Sequence, residues 1–274
     1  MGKQKAERKI GSIIGSIPYR MAFAGGWIDQ PFISAHNPSP PGSMVVVALK
    51  PTLPFMNRCG MGTSTRHAAM RLWGESLPDQ NPQKLMRDLY RAENDNRSDP
   101  SGSQDMAGIV YPGVNRLDYD VNFEGGYFPI HVESNNDPEV ARWLEEIIYC
   151  LPVNQRPDGY YPLAKQNLDP GWIERLGQSG KDCYKAILEQ NAGSLGQSMN
   201  ETMHCWEAIL PHTVHHTSIT IDLVEILAFY QSHYYGAMYS GCGGGYCYIV
   251  SDEPVPGTFK VNIRISTEKK SRNG

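Results

Sequence analysis

The sequence carries no strong charge of either sign. Its 25 Lys and Arg residues against 29 Asp and Glu leave a formal net charge of −4, so no global basic field draws it to nucleic acid. No apolar run approaches the roughly 20 residues needed to span a bilayer. Near the start, the stretch from Ile10 to Ile17 is broken by glycine and serine, which argues against a secretory leader. The six cysteines are scattered without a CxxC pair, and Cys242 and Cys247, on either side of Gly243-Gly244-Gly245, lack zinc-ribbon spacing. They read as reduced, mostly buried side chains of a cytoplasmic protein. The basic residues Lys3, Lys5, Arg8 and Lys9, and Lys269, Lys270 and Arg272, read as solvated ends. No internal repeat is present. A chain of 274 residues, 40% of them hydrophobic, has room for two compact lobes or one large α/β domain.

The organising stretch runs from Arg58 to Trp73. A small-residue loop, Gly60-Met61-Gly62, leads into Thr63, Ser64 and Thr65 and then into a helix-forming segment. Glycines let backbone N–H groups approach an oxyanion closely, and the first turn of a helix offers unpaired donors at the positive end of its dipole. The combination suits phosphate. It equally suits an ordinary capped helix with a flexible lead-in loop, and the stretch by itself does not choose.

Elsewhere, strands are expected at Pro18–Ala24, at the continuous apolar run Met44–Leu49, as a hairpin over 116–122 and 126–132, after the 243–245 glycines, and at the alternating Phe259–Ile265. Helices are expected at Thr65–Trp73, Pro82–Arg91, Pro138–Tyr149, and around 170–177, 181–193, 196–208 and 218–231. Single functional candidates are weak. Glu93 at a helix end and Asp105 on a Gly-x-Gln-Asp turn are ordinary surface carboxylates in most proteins, and the glycine run is an ordinary tight turn. His212, His215 and His216 lack a carboxylate at partner spacing, so they do not read as a metal site.

The order of these elements resembles the GHMP small-molecule kinases, nearest their sugar-kinase branch of heptose 7-phosphate kinases and fucokinases. Arg20-Met21-Ala22-Phe23-Ala24-Gly25-Gly26-Trp27-Ile28-Asp29 resembles the branch's R-x-x-F-A-G-G-G-T-D. Arg58 to Thr65 resembles G-x-G-L-G-S-S-S, Glu93 precedes a G-x-Q-D segment at Gly102–Asp105, and Gly241 to Tyr246 resembles G-A-G-G-G-G. Asn154-Gln155-Arg156 is a weaker likeness to T-G-x-x-R.

The resemblance implies an α+β fold of two lobes: an N-terminal α/β lobe like ribosomal protein S5 over 1–135, and a ferredoxin-like C-terminal lobe over 136–274. It implies an ATP-dependent, Mg²⁺-dependent kinase acting on a hydroxyl of a sugar or sugar phosphate. Asp105 would be the base, with Arg20 beside it. Gly60, Met61, Gly62, Thr63, Ser64, Thr65, Gly243 and Gly244 would hold the nucleotide, Ser64 and Glu93 the metal. Gly26, Trp27, Asp29, Gln104 and Gly244 would bind the acceptor, with Arg156 and His36 as further candidates. Partners are then small molecules, with neither nucleic acid nor membrane, and a homodimer is left open.

Three departures stand out. Trp27-Ile28 replaces Gly-Thr, which reshapes the acceptor pocket. Arg58-Cys59 and Arg66-His67 add polar bulk around the glycine loop. Only about 30 residues separate Asp29 from Gly60, where the family usually carries further strands and an adenine-contacting loop. Either another segment contacts the base, or the donor is unusual, or the chain is a non-catalytic sugar or nucleotide sensor. An unrelated α/β protein with coincidental glycine loops is the remaining reading.

Overall fold

The computed structural model describes residues 15–95, 97 and 100–266; the basic clusters at both ends lie outside them. The fold is α+β with two antiparallel sheets. The first is a meander in the order β1 (Tyr19–Ala22), β2 (Gly42–Leu49), β3 (Val114–Tyr119), β4 (His131–Asn135). Arg20 pairs with Ala48 in its register. Every residue of β2 is buried, as its continuous apolar run requires, because a strand covered on both faces has no polar side.

Between β2 and β3 lie three helices: α2 (Thr63–Trp73), α3 (Pro82–Asn94) and α4 (Gln104–Val110), following the single-turn α1 (Pro31–Ser34). Asn81 caps α3 by accepting from the Gln83 amide at 2.8 Å, with Pro82 in the first turn. α4 packs on β1 and β2 and carries Asp105 in its first turn. This arrangement brings Glu93, at the end of α3, against the start of α2.

After α5 (Pro138–Ile147) the chain enters β5 (Ile148–Pro152) without a loop, then α6 (Pro170–Leu188), α7 (Ala192–Ile209), α8 (Leu223–His233), β6 (Gly236–Gly241) and β7 (Gly244–Val250). The second sheet has the order β5-β7-β6. α6 lies on β2 of the first sheet. No described helix is long and apolar enough to cross a membrane.

Several elements differ from the sequence expectation. α6 runs unbroken through 178–180, because Gly180 meets the β2 backbone with no side chain between them: a Cβ there would come within 2.0 Å of the Ser43 carbonyl. α8 starts at Leu223 rather than 218, set by Asp222, whose carboxylate accepts from the Val224 and Glu225 amides. The second hairpin strand falls at His131–Asn135, after a short 3₁₀ turn. Phe259–Ile265 forms no strand. It makes one bridge to each sheet, Phe259 to Cys150 and Ile263 to Leu49, and a segment that straddles two sheets cannot run a ladder along either.

Candidate active site

Two cavities meet at one wall. The larger, about 420 Å³, is bounded by Gly60, Gly62, Thr63, Ser64 and Glu93 among others. The smaller, about 280 Å³, is bounded by Gly26, Trp27, Asp29, Gln104, Trp206 and Cys242 among others. Arg20, Gly60, Ser101, Asp105 and Arg156 border both.

The larger cavity opens on the start of α2. Gly62 precedes the helix in a left-handed conformation, φ 66°, and no side chain caps that N-terminus; its amides and its dipole remain available to an anion. Ser64 is exposed there and donates to Glu93 Oε1 at 3.3 Å. The Glu93 side chain is only 5% exposed, with Arg97 at 3.8 Å, and its second oxygen, Oε2, is buried without a partner. Burial pushes its carboxyl up, in part offset by the nearby Thr65 hydroxyl, which stands outside hydrogen-bond geometry with it.

At the shared wall the Arg20 guanidinium, buried on β1, forms an ion pair with Asp105 and donates to the Gly60 carbonyl at 2.9 Å. One arginine thereby ties the first motif, the glycine loop and α4 together. Arg156 has no ion-pair partner among the described residues, and its Nε is buried without a hydrogen bond.

In the smaller cavity, Asp29 is buried; burial, reinforced by the charge of Asp105, raises its carboxyl to about 7, against a lowering pull from Arg20. Gln104 Oε1 is buried and unpartnered. Trp27 has φ 84°, a left-handed conformation rare for a bulky residue. It stands at a glycine position of the motif it resembles, so the backbone has a glycine-like geometry while an indole borders the cavity. Trp206, on α7, donates from Nε1 to the Gly26 carbonyl at 2.9 Å.

The structure thus gathers Arg20, Gly60, Gly62, Thr63, Ser64, Glu93 and Asp105 at one cavity, and Gly26, Trp27, Asp29 and Gln104 at the next. Met61 and Thr65 are buried and line neither; the Met61 thioether takes the Tyr248 hydroxyl at 2.8 Å. Gly243 and Gly244 also line neither. Asn154 binds the Gly243 carbonyl and the Gly245 amide, and Gly241 and Cys242 reach the smaller cavity instead. His36, His212, His215 and His216 border neither cavity; His215 pairs with Glu207 at 2.6 Å. Trp206 and Ser101 were not singled out from sequence: Trp206 reads there as one more apolar residue of a packed helix, and Ser101 as loop.

A β-bulge at Ser240 joins the two glycine motifs. The register of β6 against β7 shifts between Tyr239 and Gly241, and the Ser240 hydroxyl donates to the Cys59 carbonyl at 2.5 Å while accepting from the Tyr246 amide at 2.9 Å. Bulges commonly re-aim a side chain in this way.

No family profile and no curated protein matches this sequence. Solved structures match it in three dimensions. The chain has the GHMP-kinase fold. A mevalonate kinase superposes with TM-score 0.59 at 10% identity, over 92% of this chain and 99% of that one. Lactococcus lactis galactokinase complexed with galactose gives 0.59 at 10% identity, over 97% and 99%. A D-glycero-D-manno-heptose 1-phosphate kinase from Bacteroides thetaiotaomicron gives 0.52 at 10% identity, over 90% and 95%. Likeness at this identity is one of fold, and the chemistry rests on the side chains.

Proposed function

We propose that the protein is a GHMP-type phosphotransferase that moves the terminal phosphoryl group of a nucleoside triphosphate, with ATP as the reference donor, to a hydroxyl of a sugar or sugar phosphate. The observation that carries this reading is the Arg20–Asp105 pair standing in the wall between an anion-suited cavity and a second, smaller one. Phosphoryl transfer needs little covalent chemistry from the protein; it needs a held phosphate chain, neutralised charge and an oriented hydroxyl.

The glycine loop and the open start of α2 receive the phosphates. Asp29 and Gln104 hydrogen-bond acceptor hydroxyls, and Trp27 offers an indole face to the C–H side of the sugar. Asp105 takes the hydroxyl proton as the acceptor oxygen bonds to phosphorus. The bridging P–O bond breaks, and its electron pair leaves with the diphosphate. Arg20 keeps Asp105 oriented and lies close to the migrating charge. Ser64 and Glu93 fit Mg²⁺, since both offer hard oxygens and Glu93 Oε2 is buried with no other partner; bound there, the ion neutralises phosphate charge. Six unpaired cysteines suit a reducing compartment such as the cytoplasm.

The test is coupled ADP release over a panel of hexoses, heptoses and heptose phosphates, with Asp105→Asn alongside. Turnover with at least one acceptor is expected, falling about 10²–10⁴-fold in kcat in the variant with donor affinity changed less than about threefold. A binding-only sensor is the second reading, favoured by the short span between Asp29 and Gly60. Binding of sugar or nucleotide with no turnover on any acceptor would establish it instead.

A further inference from the structure

The larger cavity is suited to phosphates, and the one ring side chain that borders it among the described residues is the His67 imidazole. Every residue that lines it is glycine, polar or charged, and no aliphatic, phenyl or indole side chain among the described residues borders it. From the loop after α3, Arg97 and Ser101 border it. Sites for flat organic ligands are ordinarily lined mainly by apolar and aromatic side chains.

The segment just before the glycine loop is committed elsewhere. Phe55 is 8% exposed, its ring packed on Tyr19, Tyr246 and Phe259 at centroid distances of 4.8, 5.5 and 6.0 Å. The Met56 amide donates to the Tyr246 hydroxyl at 3.0 Å. These contacts anchor the chain in the core directly up to Asn57.

Positive charge is present in its place. Arg156 has no carboxylate partner among the described residues and a buried, unpartnered Nε. Arg58 pairs with the fully exposed Asp158 and donates to the Pro157 carbonyl at 2.9 Å. Guanidinium groups fit phosphate oxygens bidentately, and their planes give every base the same weak stacking.

We infer that this site recognises a linear polyphosphate chain and is indifferent to the base attached to it. The ligand class is any nucleoside triphosphate or inorganic tripolyphosphate. The inference rests on the donor half of the kinase reading, and it concerns binding, so it can stand or fall apart from turnover.

The full-length protein is titrated calorimetrically, with Mg²⁺ present, with ATP, GTP, CTP, UTP, inorganic tripolyphosphate and adenosine. The five polyphosphates are expected to bind within about threefold of one another, and adenosine not measurably. Arg156→Gln should weaken all five by a common factor, roughly tenfold, from the usual strength of a hydrogen bond to a charged group. Arg175→Gln, at an exposed pair with Glu201, should leave them unchanged. ATP binding ten times tighter than the other nucleotides and tripolyphosphate, adenosine binding by itself, or no polyphosphate binding would each overturn the inference. Equal binding without turnover on any acceptor upholds it while counting against the kinase reading, and turnover together with ATP-selective binding does the reverse.

Discussion

Asp29 is buried beside Asp105, and its carboxyl is raised to about 7 by burial and by that neighbouring charge. The native state therefore binds this proton more tightly than the unfolded chain, whose carboxyl titrates near 4. Stability from Asp29 is fully present below about pH 4 and is lost as pH rises through about 7. Glu93 is shifted in the same direction and Asp118 in the opposite one, so the informative quantity is the difference between wild type and Asp29→Asn. The variant should melt with a flatter pH dependence between pH 5 and 8 and gain stability at pH 8 by roughly 2–4 kcal/mol, each pKa unit being worth about 1.4 kcal/mol. Equal slopes for the two proteins in thermal melts would show that Asp29 titrates normally. At Trp27 the identity of the residue and its backbone disagree. Its replacement of a motif glycine is plain in the sequence, whereas the retained φ of 84°, at a cost of about 1–3 kcal/mol for a non-glycine residue, becomes visible only in the fold.

At the scale of elements, β1, β2 and α2 were legible because each carries its own local signal: a buried apolar run, or a glycine loop feeding a helix. β5 was hidden, since Ile148–Pro152 follows α5 without a turn and its apolar residues extend the helical pattern. β6 was hidden too; Gly236–Gly241 has small residues where a strand usually shows branched ones, as close packing on α7 demands. The residues that the loop and α4 bring to the larger cavity were legible from motif order, but the contact made by the third glycine turn was not. Its contact depends on the Ser240 bulge, which no spacing announces. A Cβ on Gly60 would lie 2.3 Å from the Ser240 carbonyl, and one on Gly245 would lie 2.5 Å from the Cys59 carbonyl. Backbone cannot yield at that distance, so Gly60→Ala and Gly245→Ala should each cost at least about 2 kcal/mol in urea denaturation and weaken polyphosphate binding. Because both separate the same two turns, the double variant should cost much less than their sum. Additive costs with unchanged polyphosphate affinity would mean that the junction does not position the loop.

Across the whole molecule, the boundary expected near residue 135 divides the sequence, while the packing runs across it. β2 is buried from Gly42 to Leu49, with α4 and α6 both packed on it. α4 precedes the boundary and α6 follows it. Gly180 brings α6 to within direct contact of the Ser43–Met44 backbone, and the Gly25 amide donates to Thr202 on α7 at 3.1 Å. Arg264 closes the link from the far end, where its amide donates to the Ala48 carbonyl at 2.8 Å. A fragment of residues 1–135 would expose one face of β2 to water and leave the contacts of that face's alternate side chains, Val45 and Val47 among them, incomplete. Burying a single large aliphatic side chain contributes about 1.5–3 kcal/mol, so losing a few of them matches the whole 5–15 kcal/mol by which a typical domain is stable. The fragment is therefore expected to show no cooperative melt and a collapsed amide spectrum, while the full chain unfolds in one transition that polyphosphate shifts as a unit. A dispersed amide spectrum with a cooperative melt for 1–135 would show instead that the first sheet is self-sufficient, and that α6 is not needed to complete the fold.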